Sequence, residues 1–340
     1  MTSTQAEMSD ASKDAERLDQ FMMRAAAAYY AARDPFQDFA TSPEISQAFG
    51  ECLGLWAAVT WQTMGRPDPV LLVECGPGRG SLMADALRAI AEVMSEFRAA
   101  LRVHLVETSP RLREAQAAKL GTASVIWHED IGTLPEAPMI LLANEFLDAL
   151  PIRQFIRRGV VWSERFVADG AFVEFPADIP LPEDAPEGTV REVNEAAQEF
   201  AAWLGVRLTR HGGAALLIDY GPAESGFGDS LQAMRAGQPV DPLTAPGEVD
   251  ITSHVDFAAF AAAAHAAGAV VHGPLPQGVF LQRLGFMTRA AMLARLDPRR
   301  AQAQLAAAHR LTAPEAMGRL FKALVLCDSS LPTPAGFETP

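Results

Sequence analysis

Residues 71 to 82, LLVECGPGRGSL, run apolar into an acid, Glu74, and then set glycine at alternate positions: Gly76, Gly78 and Gly80. Glycine serves where a backbone turns to positive φ, or where a ligand must approach without a Cβ in the way. A dinucleotide fingerprint, G-x-G-x-x-G/A, would need its third small residue at position 81, which is Ser81 here. A P-loop would need G-K-S/T, and the loop carries no lysine. Two readings stay open. Glu74 would attract a cofactor that brings positive charge, such as the sulfonium and ammonium of S-adenosylmethionine. Alternatively, the loop is a glycine-rich turn that binds nothing.

Further acids follow at the ends of apolar runs. Glu107 closes VHLVE, roughly 20 to 30 residues past the glycines, where a ribose-binding carboxylate belongs; capping the next helix, beside Ser109, accounts for it equally well. Asp130, in HEDI, is placed to accept from an adenine amino group, or is a surface-turn acid. ANEFLDALP, residues 143 to 151, ends another apolar run with Asn144, Glu145 and Asp148. It is not the N-P-P-Y of amide and exocyclic-amine methyltransferases. Two carboxylates there suit a planar guanidinium, which stays charged and takes bidentate hydrogen bonds. Capping of the turn is the plainer reading.

Parallel strands joined by helices would place these residues along one edge. Short apolar runs at 70–74, 103–107, 124–128, 138–144, 214–220, 269–273 and 321–326 alternate with helical stretches. The pattern predicts an α/β fold, a doubly wound, mostly parallel seven-stranded Rossmann-like sheet whose ligands collect at the carboxyl ends of its strands. Ahead of it, LDQFMMRAAAAYYAA and TSPEISQAFGECLGLWAAVTWQTM read as helices, the second opening with Thr41 and Glu44 at capping-box spacing. The expected organisation is an N-terminal helical element over 1–66 and a main domain over 67–340. Insertions fall at about 152–212, which turns around glycines as hairpins do, and 277–318, which is helical.

The chain has 340 residues, 49% hydrophobic and 21% charged, with a formal net charge of −14. That charge repels phosphate backbones and anionic membranes, so nucleic acid is excluded as a main partner. No apolar run reaches the length of a membrane span, and the three cysteines show neither a disulfide framework nor zinc spacing. No His/Asp/Glu cluster has metal-ligand spacing. The N-terminal composition resembles neither signal nor transit peptide, and the expectation is a bacterial cytoplasmic protein.

With these residues assembled, the chain resembles the MidA-like class I methyltransferases nearly end to end. The resemblance rests on YY at 29–30 with DFATSPEISQAFGE, and on ECGPGRGSLMADALR, VETSPRLREAQ, ANEFLDALPIRQF, WSERFV, LLIDYG, PGEVDITSHVDF and MGRLFKALVL. It implies S-adenosyl-L-methionine as cofactor, held by Glu74, Gly76, Gly78, Gly80, Glu107, Asp130 and Asn144. By analogy with mitochondrial members that assist respiratory complex I assembly, it implies methylation of protein arginine, with Glu145, Asp148 and Asn144 at the reacting end. TSPEIS reads as a lid helix with Ser42 and Glu44 near the site, or equally as a packing helix. One departure stands out: the family's longer glycine-containing loop after YY is RDPFQDF here. Two other classes are compatible with parts of the sequence: a non-catalytic assembly factor that keeps the fold, and a nicotinamide oxidoreductase, which Ser81 disfavours.

Overall fold

Strands that run apolar along their whole length need cover on both faces, and this chain provides it. In the computed structural model, which describes residues 15–32 and 40–338, β1 (Val70–Cys75) and β4 (Met139–Asn144) are buried at every position. β2 (Leu101–Val106), β3 (Val125–His128), β5 (Gly213–Tyr220), β6 (Val270–Pro276) and β7 (Phe321–Cys327) join them in one sheet of order β6-β7-β5-β4-β1-β2-β3. All seven predicted runs form strands, differing only at their ends. β1, β2, β3, β4 and β5 pair in parallel, while β7 runs antiparallel to β5 and β6. The strand order reverses between β1 and β4, and the carboxyl ends of these two strands, at Cys75 and Ala143, are where open sheets of this kind collect ligands.

The chain divides into two compact units, one holding residues 40–147, 198–224 and 255–340, with the seven-stranded sheet. Its helices are α1 (Ser42–Ile45), α2 (Gln47–Thr63), α3 (Ser81–Val93), α4 (Ser95–Ala100), α5 (Pro110–Leu120), most of α6 (Glu195–His211), α7 (Phe257–Ala266), α8 (Gln277–Arg283), α9 (Phe286–Leu296) and α10 (Ala301–Thr312). α2 lies against α3 closely enough that a Cβ on Gly54 would fall 2.6 Å from the Ala86 Cα. Phe49, Leu53, Trp56, Leu82 and Ile90 meet β1 and β4 in one apolar core.

The single helix expected from Thr41 onward is two pieces. Ser46, extended at φ −147° and ψ 120°, separates α1 from α2. The capping box does not form: the Thr41 side chain caps nothing, and the Glu44 N–H bonds the Thr41 carbonyl at 2.9 Å. The Glu44 carboxylate accepts instead from the Ser81 hydroxyl.

The second unit comprises residues 148–197 and 225–254 with the N-terminal segment. The predicted hairpins appear as antiparallel strands at Arg153–Arg158, Val161–Ala168 and Ala171–Pro176. A three-stranded sheet over 232–252 carries too little alternation to show in the sequence. Helix Leu18–Ala32 packs Leu18, Phe21, Met22 and Ala25 with Ile152, Val167 and Ile251. The two N-terminal helical segments thus fall in different units. RDPFQDF lies outside the described residues. No helix among them is long and apolar enough to cross a membrane.

Candidate functional site

At the end of β1, Gly76, Gly78 and Gly80 take φ of 63°, 54° and 80°. A side chain is strained there, and a Cβ on Gly76 would lie 3.0 Å from the Phe146 ring. The loop therefore needs glycine for its path, and it delivers the chain into α3, with Gly80 as N-cap. Just before it, Glu74 is buried. Desolvation pushes its carboxyl up to about 8, the Met83 N–H partly offsets this, and the nearby Glu107 adds to it. Its Oε2 has no hydrogen-bond partner among the described residues.

Glu107 follows β2 and is also buried, its carboxyl raised chiefly by desolvation. Its observed side-chain contacts are with the next helix. Oε1 accepts the Ser109 N–H at 2.8 Å, a helix-start contact, while Oε2 accepts from Gln116 Nε2 at 3.2 Å. A carboxylate oxygen accepts more than one bond, so capacity for ribose hydroxyls remains. Gln116 ties this acid to the glycine loop, because its Nε2 also donates to the Gly78 carbonyl at 2.8 Å. Asp130 lies past β3, exposed, with Oδ1 accepting the Gly132 N–H at 2.6 Å and capping the turn Ile131–Thr133.

The end of β4 is held more tightly than its sequence indicates. Glu145 has φ of 52°, an uncommon conformation for a residue with a side chain. Its Oε1 accepts from the Ser42 N–H at 2.9 Å and from Asn144 Nδ2 at 2.8 Å. Asp219, buried near the end of β5, accepts the N–H groups of Phe146 at 3.1 Å and Leu147 at 2.8 Å through Oδ2. The Glu145 N–H reaches the Ile218 carbonyl at 2.8 Å. This anchoring spans more than seventy residues of chain, and only the acid in LLIDYG hints at it.

Ser42 and Glu44 both reach this edge. Glu44 accepts from the Ser81 hydroxyl, which in turn accepts from the Lys119 ammonium. α1 is thereby tied to β4 through Ser42 and to the start of α3 through Glu44. Ser81, Gln116, Lys119 and Asp219 were not singled out as site residues from the sequence. Asp148 belongs to the other unit. It is buried there, its carbonyl accepts the Ser253 N–H at 3.0 Å, and, with Asp250, it adds to the burial that raises the Tyr30 hydroxyl pKa.

Three buried oxygens at this edge lack hydrogen-bond partners among the described residues: Ser42 Oγ, Glu74 Oε2 and Asn144 Oδ1. Buried acceptors call for donors. A ligand bearing an ammonium and hydroxyls supplies them, whereas a phosphate diester brings acceptors only. The donor set therefore fits an S-adenosyl group. Among the described residues, no group of three or more His, Cys, Asp or Glu side chains is arranged to hold a metal ion.

Over residues 52–275 the chain matches a family described as S-adenosyl-L-methionine-dependent methyltransferases. It is 34% identical to the mitochondrial protein arginine methyltransferase NDUFAF7 homolog of Drosophila melanogaster, across 92% of this chain and 80% of that protein. The mouse (Mus musculus) protein arginine methyltransferase NDUFAF7 is 33% identical over 90% of this chain and 79% of its own length. A crystal structure of a COG1565 superfamily member from Burkholderia thailandensis, bound to S-adenosyl-homocysteine, superposes with a TM-score of 0.79 at 26% identity, covering 99% of this chain and 92% of that one. A native crystal structure of a COG1565 superfamily protein from the same organism gives 0.82 at 27%, covering 98% and 92%.

Proposed function

Because the chain belongs to the S-adenosyl-L-methionine-dependent methyltransferase family, we propose that it methylates an arginine side chain of a protein. The cofactor, when bound, supplies a methyl group already activated on sulfonium. The chain's own residues bind, orient and accept a proton. Glu74, Ser42 and Asn144 would hold the amino-acid end over the glycines Gly76, Gly78 and Gly80. Glu107 would take the ribose hydroxyls and Asp130 the adenine amino group.

The observation that carries the arginine reading is Glu145, a carboxylate fixed by Ser42 and Asn144 at the carboxyl end of β4. A guanidinium keeps its proton at neutral pH, so the proton leaves only as the new N–C bond forms. Glu145 is the acceptor the proposal gives it, and Asn144 orients Glu145. Relatives named protein arginine methyltransferases support the same acceptor class. A share for Asp148 in holding the substrate is tested by its own variant, Asp148→Asn. A respiratory complex I subunit as acceptor, and a bacterial cytoplasmic location, complete the proposal.

The test uses cofactor labelled in its methyl group, the purified protein, and either cell extract or complex I subunits, followed by hydrolysis and mass spectrometry. Label in methylated arginine is expected. Glu145→Gln should keep S-adenosylhomocysteine binding while transfer falls about 100-fold or more. Label on another side chain would overturn the acceptor. Cofactor binding with no methylated protein would return the non-catalytic assembly factor.

A further inference from the structure

Two histidines on neighbouring strands form a buried chain that ends at the Asp130 turn. His104 lies on β2 and His128 ends β3, both nearly inaccessible. His104 Nδ1 is 2.8 Å from His128 Nε2, and His128 Nδ1 is 2.7 Å from Thr133 Oγ1. Thr133 Oγ1 donates to the Asp130 carbonyl at 2.6 Å. A hydroxyl has one proton, and Thr133 spends it on Asp130. Thr133 therefore accepts from His128 Nδ1–H. A neutral His128 then presents Nε2 as an acceptor, which makes His104 Nδ1–H the donor. Every bond in the chain points toward Asp130, with both rings neutral. Burial lowers the pKa of both, His104 to about 4, in keeping with neutral rings.

His128 also serves the ribose acid, because its backbone carbonyl accepts the Glu107 N–H at 2.9 Å. One residue thus fixes the backbone of Glu107 and, through its ring, the turn that carries Asp130. The Asp130 carboxylate is exposed and bonds the nearby Gly132 N–H, so its direction from the sheet is set by the turn beneath it.

We propose that His104, His128 and Thr133 form a directed hydrogen-bond relay that positions Asp130 for the adenine amino group and so gives the site its preference for adenine over a 6-oxo purine. The proposal rests on the cofactor reading above and goes beyond it, since these three are positioning residues that act through Asp130. A 6-oxo purine offers Asp130 an acceptor where adenine offers a donor, and the pairing becomes repulsive.

The test measures the affinity of the full chain for S-adenosylhomocysteine and for S-inosylhomocysteine by calorimetry. The readout is their ratio, in which any unfolded fraction cancels. The native protein should prefer the adenosyl compound by about tenfold or more, the range of a hydrogen bond to a charged group. Thr133→Val, at an exposed position that leaves the core intact, should lower that preference at least about fivefold, and Thr133→Ser should restore it. His128→Phe should reproduce the loss. If the native protein shows no preference, the assignment of Asp130 to adenine falls and the relay with it. If the native protein discriminates and Thr133→Val does so equally, the relay alone is overturned and the cofactor reading stands.

Discussion

Glu74 should release a proton when the cofactor binds. Desolvation holds its carboxyl at about 8 rather than 4.5, so at pH 7 about nine-tenths of the ligand-free protein carries that proton. An ammonium brought beside Oε2 favours the carboxylate, and if the pKa falls below about 5, roughly 0.9 proton leaves per binding event at pH 7. Affinity for S-adenosylhomocysteine, which carries the same ammonium, should then climb by up to about tenfold per pH unit and level off near pH 8. For ligand-free stability the sign is opposite to that of a salt-bridged acid. The folded state binds the extra proton between pH 4.5 and about 8, so stability falls as pH rises through that window, by at most about 1.4 kcal/mol per pH unit. Calorimetry at pH 6, 7 and 8 in two buffers of different ionisation enthalpy reads the proton count directly. Glu74→Gln should bind more weakly at pH 8 and lose the proton release. Native protein that binds equally well at pH 6 and pH 8, with no proton released, would refute this account of Glu74.

Other residues give separable outcomes. Ser42→Ala removes an oxygen without a partner among the described residues, so melting temperature should hold while S-adenosylhomocysteine affinity drops about fivefold; unchanged affinity would take Ser42 out of the seat. Asp219→Ala strips acceptors from the Phe146 and Leu147 N–H groups; denaturant titration should show a loss of roughly 2–4 kcal/mol, with turnover falling further than the stability loss alone would bring. Gly54→Ala drives a Cβ into the Ala86 backbone and should destabilise by about 1–3 kcal/mol with cofactor affinity unchanged in the folded fraction. A neutral Gly54→Ala would show that α2 and α3 can separate cheaply.

The strands were legible because the sheet is covered on both faces, and an uninterrupted apolar run of strand length between two helical stretches suits a position inside such a sheet and little else. The glycine loop was legible for a local reason: its positive φ values belong to residues that carry no side chain. Other features depend on partners distant in sequence. Asp219 reads as one more acid until its oxygen is seen 2.8 Å from the Leu147 N–H. The break at Ser46 has no glycine or proline to announce it, since α1 is set by bonds from Ser42 to Glu145 and from Ser81 to Glu44. The same draw defeats the capping box, whose Glu44 had a stronger partner than the Thr41 N–H. The His104 and His128 contact follows from β2 and β3 pairing in register, His104 opposite Ile126, and no spacing rule within one segment would find it.

The cofactor seat proposed above lies at the carboxyl edge of β1, β2 and β4. A crystal structure of this protein with S-adenosylhomocysteine tests it most directly. The ligand's amino-acid end is expected at Glu74, its ribose hydroxyls on Glu107, and donors or ligand atoms within hydrogen-bond distance of Ser42 Oγ and Asn144 Oδ1. A ligand bound elsewhere, or bound here with those oxygens still unpartnered, would contradict it.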